Sequence, residues 1–200
     1  MPTVVQTKEV REAILDATDH LLSRYGYKKM TIDDLAREVG IGKGSIYLHF
    51  TSKEEIALSH IDRIVENVKK KLREIADSDC SDADCLRQML LARVLLRFES
   101  VQHYTQNLND LLADIRPKLM ARRSKYFAEE AVIFAEIIKR GQEKGKLQKG
   151  NPLKIAETFL LATNSLLPFN LTTRELGKRS EIEDKTLRLA NLLVRGLEKT

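Results

Sequence analysis

From Val39 to Lys53 the chain carries no acidic residue, while Lys43, Ser45, Tyr47, His49 and Lys53 bring ammonium, hydroxyl, phenol and imidazole groups close together in sequence. Such groups donate hydrogen bonds to phosphate oxygens and to the edges of bases. Ile46 and Phe50 stand four residues apart, the spacing of one helix face, which leaves Lys43, Gly44, Tyr47 and Leu48 to point the other way. Apolar side chains would anchor this helix from behind and polar ones would read a nucleic acid in front.

The elements around it fit that task. Thr31 precedes Ile32-Asp33-Asp34, a hydroxyl placed to cap backbone N–H groups with acids in the first turn, and Ile32, Leu35, Ala36 and Val39 share one face of a short helix. Gly40-Ile41-Gly42 supplies a tight turn, and a third helix of about two turns follows over Lys43 to Phe50. Two short helices joined by a glycine turn can seat the second in the DNA major groove. A helical hairpin inside an ordinary bundle matches the same pattern. Charge does not decide between them: residues 1–53 hold 8 Lys plus Arg and 7 Asp plus Glu, so any positive footprint must come from arrangement.

The rest of the chain reads as helix almost throughout, and the fold class expected is all-α with about nine helices. Val10, Ala13, Ile14, Ala17, Leu21, Leu22 and Tyr25 give the first helix its apolar face, and Gly26 ends it. Ser52-Lys53-Glu54-Glu55 has the spacing of a capping box and opens a long fourth helix reaching Ala76. Further helices are predicted at about Cys85 to Gln102, Tyr104 to Ile115, Pro117 to Lys144, Pro152 to Leu167 and Glu181 to Leu197, with Pro117 in a first turn, Asn151-Pro152 as a cap and Pro168 as a stop.

Composition sets outer bounds. Two hundred residues with 42% hydrophobic and 32% charged residues, 9 Gly and 4 Pro exclude collagen-like, low-complexity and wholly disordered chains. The longest stretch without Asp, Glu, Lys or Arg, Thr158 to Thr173, is too short and too polar to span a bilayer. No membrane partner is expected, and with no secretory signal visible in the first ten residues the expected location is the cytoplasm. A formal net charge of +5 permits an anionic partner without demanding one.

Ile14-Leu15-Asp16-Ala17, Tyr25-Gly26-Tyr27, Thr31-Ile32-Asp33-Asp34-Leu35-Ala36, Val39 through Phe50 and Ser52-Lys53-Glu54 together resemble the N-terminal domain of the TetR family of transcriptional regulators. The resemblance covers about the first 55 residues, and the remainder agrees in length and helical content. It implies a helix-turn-helix DNA-binding domain over 1–51 and an effector-binding and dimerisation domain over 52–200. It also implies Thr31, Tyr47 and Lys53 as phosphate contacts, with Lys43, Gly44, Ser45, Leu48 and His49 at or near the groove. Gly42 departs from the serine or threonine expected there, which removes a side-chain cap. Leu48 stands at a commonly polar or aromatic position and suits a thymine methyl better than a hydrogen bond.

One such reader contacts few bases, so a homodimer on a pseudo-palindromic double-stranded operator is expected. Phe159, Leu160, Leu161, Leu166 and Leu167, with Leu187, Ala190, Leu193, Val194 and Leu197 on the last helix, are the candidate interface, by resemblance a four-helix one. A fully buried helix within a monomer is the alternative. A small-molecule effector is implied, and Phe98, Gln102, His103, Tyr104, Asn107, Phe127, Phe134, Phe159 and Asn164 offer apolar walls with sparse polar groups. The reading is a homodimeric repressor released by that effector; the alternative is a constitutive or activating regulator without one.

Other features point to less. Cys80 and Cys85, among Asp77, Asp79, Asp82 and Asp84, read as a solvated connector, with thiol sensing as the minor alternative. Lys69-Lys70-Lys71 reads as a solvated face. Gly40 to Ser45 lacks the Ser or Thr that follows lysine in a phosphate loop, and His20, His49, His60 and His103 have no metal-ligand spacing. No enzyme, metal or cofactor is expected.

Overall fold

A computed structural model describes residues 4–101, 108–167 and 177–199. Among these the chain forms eight α-helices: α1 (Val4–Lys29), α2 (Ile32–Val39), α3 (Lys43–His49), α4 (Lys53–Ala76), α5 (Asp82–Val101), α6 (Leu108–Glu143), α7 (Pro152–Asn164) and α8 (Arg179–Arg195). An all-α fold is what the apolar spacing requires. Gly26 sits at φ 73° within α1 and breaks its regular course there, so the expected end appears as a kink.

From Leu108 on, the two helices predicted on either side of Pro117 are one element, α6, which runs through that proline; Tyr104 to Asn107 lie outside the described residues. This corrects the boundary placed at that proline, and it brings nine expected helices to eight among the described residues. Pro117 is exposed, and Ile115 and Leu119 on either side are buried, so packing of the flanking residues holds the helix across the missing N–H. Pro168, the expected stop after α7, lies outside the described residues.

Ile14, Leu21 and Leu22 of α1 pack with Leu35 of α2, Ile46 of α3 and Ile56 and Leu58 of α4; Ile115, Leu119 and Tyr126 of α6 close the same core. A second core joins α4, α5, α6, α7 and α8 through Leu72, Leu86, Met89, Phe134, Leu160 and Val194. α4 and α6 contribute to both, so these two long helices connect the three-helix head to the rest. An isolated antiparallel bridge between Leu147 and Glu198 ties the α6–α7 connection to the segment after α8.

Two surface expectations change. Lys69 is buried and ion-paired with Glu66 and, at 2.6 Å, with Glu129 of α6; only Lys70 and Lys71 remain exposed. The lysine run therefore straddles a helix–helix contact. Cys80 and Cys85 are joined as a disulfide, with Cα atoms 5.7 Å apart and Cys85 fully buried, in place of the solvated connector expected from their aspartate-rich surroundings. Cys85 lies on the inward face of α5 beside Leu86, a position that its neighbouring aspartates concealed.

Candidate nucleic-acid interface

Local chemistry builds the head in a definite order. Thr31 accepts a hydrogen bond from the Asp34 backbone N–H at 3.1 Å, and the Asp34 carboxylate accepts from the Thr31 backbone N–H and, at 2.6 Å, from its hydroxyl. That reciprocal cap fixes the start of α2. The Thr31 hydroxyl and N–H, with Arg37, hold the Asp34 carboxyl below its usual pKa. Gly40, at φ 76°, ends α2 in the left-handed region, and its N–H bonds the Ala36 and Arg37 carbonyls before the chain turns into α3.

α3 shows the predicted two faces. Ile46 is fully buried and Phe50 is 2% exposed, while Tyr47 is 50% and Leu48 84% exposed. Lys43 and Gly44 are exposed as well, and Ser45 and His49 are half-buried at the edge of the outward face. A Cβ at Gly44 would meet nothing within 4 Å, so the protein itself does not crowd this backbone and a nucleic acid has room to approach. Gly42 is the N-cap of α3 and gives no side-chain hydrogen bond, as its lack of a hydroxyl dictates.

Two expected contacts already have partners within the chain. The Lys43 ammonium lies 2.9 Å from Asp33 in the first turn of α2, and that hydrogen bond and charge raise its pKa further above the ordinary lysine value. Lys53 donates to the Tyr27 carbonyl at 3.0 Å and to the Met30 carbonyl at 3.3 Å, with its Nζ 4.4 Å from the centre of the Tyr27 ring. It joins the start of α4 to the connection between α1 and α2. Both cations are therefore held beside α3 by contacts within the chain.

Sequence reasoning missed Arg11. Its guanidinium stacks 4.2 Å from the centre of the Phe50 ring, donates to the His49 carbonyl at 3.3 Å and donates to Ser59 on α4 at 3.1 Å. The C-terminal end of α3 is thereby held by α1 and α4 together. An arginine near the solvent edge of an amphipathic helix leaves little sequence signal.

The head is tied to the body by charge. Arg122 on α6 reaches both oxygens of Glu55, at 2.9 and 3.0 Å, and also Asp62; Tyr126 donates to Asp62, and Lys118 pairs with Glu54 at 2.6 Å. Burial and the Asp62 carboxylate push the Tyr126 hydroxyl well above its usual pKa. All the acids concerned lie in the first half of α4, next to the head.

Of the expected effector contacts, Gln102, His103, Tyr104 and Asn107 lie outside the described residues. Phe98, Phe134 and Phe159 are buried and Phe127 is half-buried, Phe98 in a small cluster with Val94, Leu95 and Ile182, and the other three in the second core. Asn164 accepts a hydrogen bond from Arg93 at 3.0 Å, and Arg93 is the centre of a polar network that the sequence reading passed over. Arg93 is 1% exposed; it bonds Glu130 at 2.8 Å and Thr163 at 3.1 Å, and Arg97 bonds the other oxygen of Glu130. Burial, with Arg97 nearby, pushes the Arg93 pKa down to about 10. An available signal was the pair Arg93 and Arg97, one helical turn apart in the apolar run from Leu90 to Phe98.

The candidate dimer surface divides. Phe159, Leu160, Ala190, Val194 and Leu197 are buried in the chain's own core, so they are not available to a second copy. Leu161 at 62%, Leu192 at 71% and Leu187 at 40% are exposed on the other sides of α7 and α8. Both helices thus have an inward and an outward apolar side. Among the described residues no helix is long and apolar enough to cross a membrane.

A three-helix head whose last helix buries Ile46 and turns Lys43, Tyr47 and Leu48 outward has the form of a helix-turn-helix DNA-binding domain. Residues 14–59 match the family model for bacterial regulatory proteins, tetR family. The head thus carries the DNA-binding domain of that family, and over most of its length the chain is similar to DNA-binding transcriptional regulators. It is 25% identical over 155 residues to the HTH-type transcriptional regulator TtgR of Pseudomonas putida, covering 72% of this chain and 73% of that protein. It is 22% identical over 165 residues to the HTH-type transcriptional repressor KstR2 of Mycobacterium tuberculosis, covering 79% of each. Its fold matches a transcriptional regulator from Cytophaga hutchinsonii with a TM-score of 0.79 at 20% identity, covering 94% of this chain and 98% of that one. A TetR-family regulator from Pectobacterium atrosepticum matches with 0.78 at 19% identity, covering 100% and 99%.

Proposed function

We propose that the chain is a homodimeric repressor that holds a palindromic operator through two copies of α3 and leaves it when a small molecule binds the C-terminal region. The observation that carries DNA reading is the division of α3: Ile46 and Phe50 inside, Lys43, Gly44, Tyr47 and Leu48 outside. In this reading Lys43 contacts a base edge, Leu48 packs on a thymine methyl, and Gly44, Ser45 and His49 line the approach. Thr31, Tyr47 and Lys53 hold phosphates and so fix the register. Residues 1–51 are the reading domain and 52–200 the effector and dimer domain.

Dimerisation is supported by the outward leucines Leu161, Leu187 and Leu192, which expose apolar area on two neighbouring helices. A pair of readers doubles the bases contacted and demands a symmetric site. That KstR2 is a repressor supports the direction of regulation. The Arg122, Lys118 and Tyr126 contacts give an effector its lever. A ligand that binds better when α6 is shifted loosens the start of α4 and changes the separation of the readers. Phe98, Phe127, Phe134, Phe159 and Asn164 would contribute to its pocket, with Gln102, His103, Tyr104 and Asn107 as further candidates.

Titration of candidate small molecules against the operator-bound protein tests the switch. A ligand that binds the protein and lowers operator affinity supports it. If ligands bind and affinity for DNA stays unchanged with every one of them, the switch is rejected and a constitutive regulator remains.

A further inference from the structure

The disulfide is the feature that DNA reading does not use. Cys80 and Cys85 are the only cysteines of the chain. They bridge the connection between α4 and the first turn of α5, at the opposite end of α4 from the reading head. A DNA-binding regulator works beside the chromosome, where thiol buffers keep cysteines reduced; disulfides found there are usually transient and redox-sensing.

The surroundings equip this pair for exchange. Cys80 is partly exposed and Cys85 is fully buried, so an incoming reagent meets the Cys80 sulfur first. Arg140 of α6 places Nη2 3.8 Å from the Cys85 Sγ. A guanidinium at that position faces the negative charge that develops on the Cys85 sulfur when Cys80 is attacked, which suits Cys85 to the leaving role. The same side chain donates from Nη1 to the Ala76 carbonyl at 3.1 Å and from Nε to Asp82 at 2.5 Å. One arginine therefore touches the last residue of α4, the first residue of α5 and the Cys85 sulfur. Ser78, within hydrogen-bond reach of the Cys80 Sγ at 3.3 Å, adds a polar partner on the exposed side.

We propose that Cys80 and Cys85 form a reversible dithiol–disulfide couple, oxidised by hydroperoxides, that sets the joint between α4 and α5 and through it the affinity for DNA. In oxidation the Cys80 thiolate attacks the peroxide oxygen. An S–O bond forms, the O–O bond breaks, and the departing hydroxide or alkoxide takes a proton, leaving a sulfenic acid. The Cys85 thiolate then attacks the Cys80 sulfur; the S–S bond forms, the S–O bond breaks, and hydroxide leaves as water after taking a proton. The pair has given two electrons to the peroxide. A dithiol reductant reverses it by exchange at Cys80, with the Cys85 thiolate leaving beside Arg140. Reduction cuts the covalent tie between Cys80 and Cys85, and the joint between the end of α4 and the start of α5, which Arg140 spans from the Ala76 carbonyl to Asp82, loosens. This regulatory consequence rests on the DNA-binding reading; the thiol chemistry does not.

The experiment uses the full chain. Free thiols are counted by maleimide labelling after reduction and after stoichiometric hydrogen peroxide, and duplex affinity is measured in both states for the wild type and for the double variant C80S/C85S. The expected result is two thiols falling to none without covalent dimers, a roughly fivefold or greater difference in operator affinity between the two states, and no such difference in the double variant. Hydrogen exchange of residues 73–85, faster in the reduced wild type, reports the joint independently and keeps the proposal testable if the double variant fails to fold. Thiols that stay reactive after peroxide, or that link two chains, overturn the couple. Equal affinity in both states overturns its regulatory role, and a protein that binds no duplex in either state rejects the DNA-binding reading while the thiol count still decides the couple.

Discussion

The Lys43 ammonium and the Asp33 carboxylate lie 2.9 Å apart, so the first residue of the reading helix is tied to the first turn of the helix before it. Both side chains are exposed, and solvent screening makes the pair a weak contributor to folding. It instead aims the lysine beside the outward face of α3. Lys43→Ala is expected to lower operator affinity roughly tenfold and to relax the preference at one base position per half-site, whereas Tyr47→Phe weakens all sequences alike. Binding to a panel of single-base operator variants distinguishes the two patterns. An unchanged preference in Lys43→Ala contradicts the base-reading assignment.

The cap of α2 is a local structure with a local cost. Thr31→Ala removes the hydroxyl that accepts from Asp34 N–H and should destabilise the protein by about 1 kcal/mol. Thr31→Ser, which keeps the hydroxyl, should recover most of that loss. Urea unfolding midpoints for the two variants check it.

Glu130 is buried between Arg93 and Arg97. Glu130→Ala strands at least one guanidinium in the core and is expected to cost about 3–5 kcal/mol; Arg93→Met combined with Glu130→Leu should cost less, because it removes both sides of the pair. Equilibrium unfolding of the single and double variants tests the order. Equal losses in both would mean that the network stabilises by packing alone.

Asp82 gives a pH dependence of known sign. Its burial alone would raise the carboxyl pKa, but hydrogen bonds and charge from Arg140 and Lys144 outweigh that and lower it below the usual value. A group with a depressed folded pKa contributes stability above its unfolded pKa and loses it as pH falls through the folded one. Asp82→Asn should therefore lose stability relative to the wild type at pH 7, and the gap should narrow below about pH 4. Unfolding midpoints of both proteins at pH 7 and pH 3 measure the gap.

The outward leucines predict the assembly. Leu161→Glu with Leu192→Glu puts charge on exposed apolar sites that the chain's own core does not need. The expected outcome is a folded monomer in sedimentation velocity at concentrations where the wild type is a dimer, and a loss of operator affinity with it.

Much of the head was legible because its signals are local. Thr31 with Asp34, Gly40 and the four-residue spacing of Ile46 and Phe50 each act within a turn or two, and the structure repeats them. Distant partners were not legible. Lys69 looked solvated until Glu129, sixty residues on, was brought to it, and Arg11 gained its role only when α1 crossed the end of α3. Pro117 shows a local rule overridden by packing on both sides. The pairing of Cys80 with Cys85 depends on which way the first turn of α5 faces, and the surrounding aspartates disguised that.

Selection of bound duplexes from a random DNA pool, with the wild type and Lys43→Ala run side by side, tests the central claim most directly. The account predicts an inverted repeat whose half-sites are about 34 Å apart or a multiple of it, with the variant losing preference at the equivalent base in both halves. No enriched sequence, or an enriched sequence without two-fold symmetry, would contradict it.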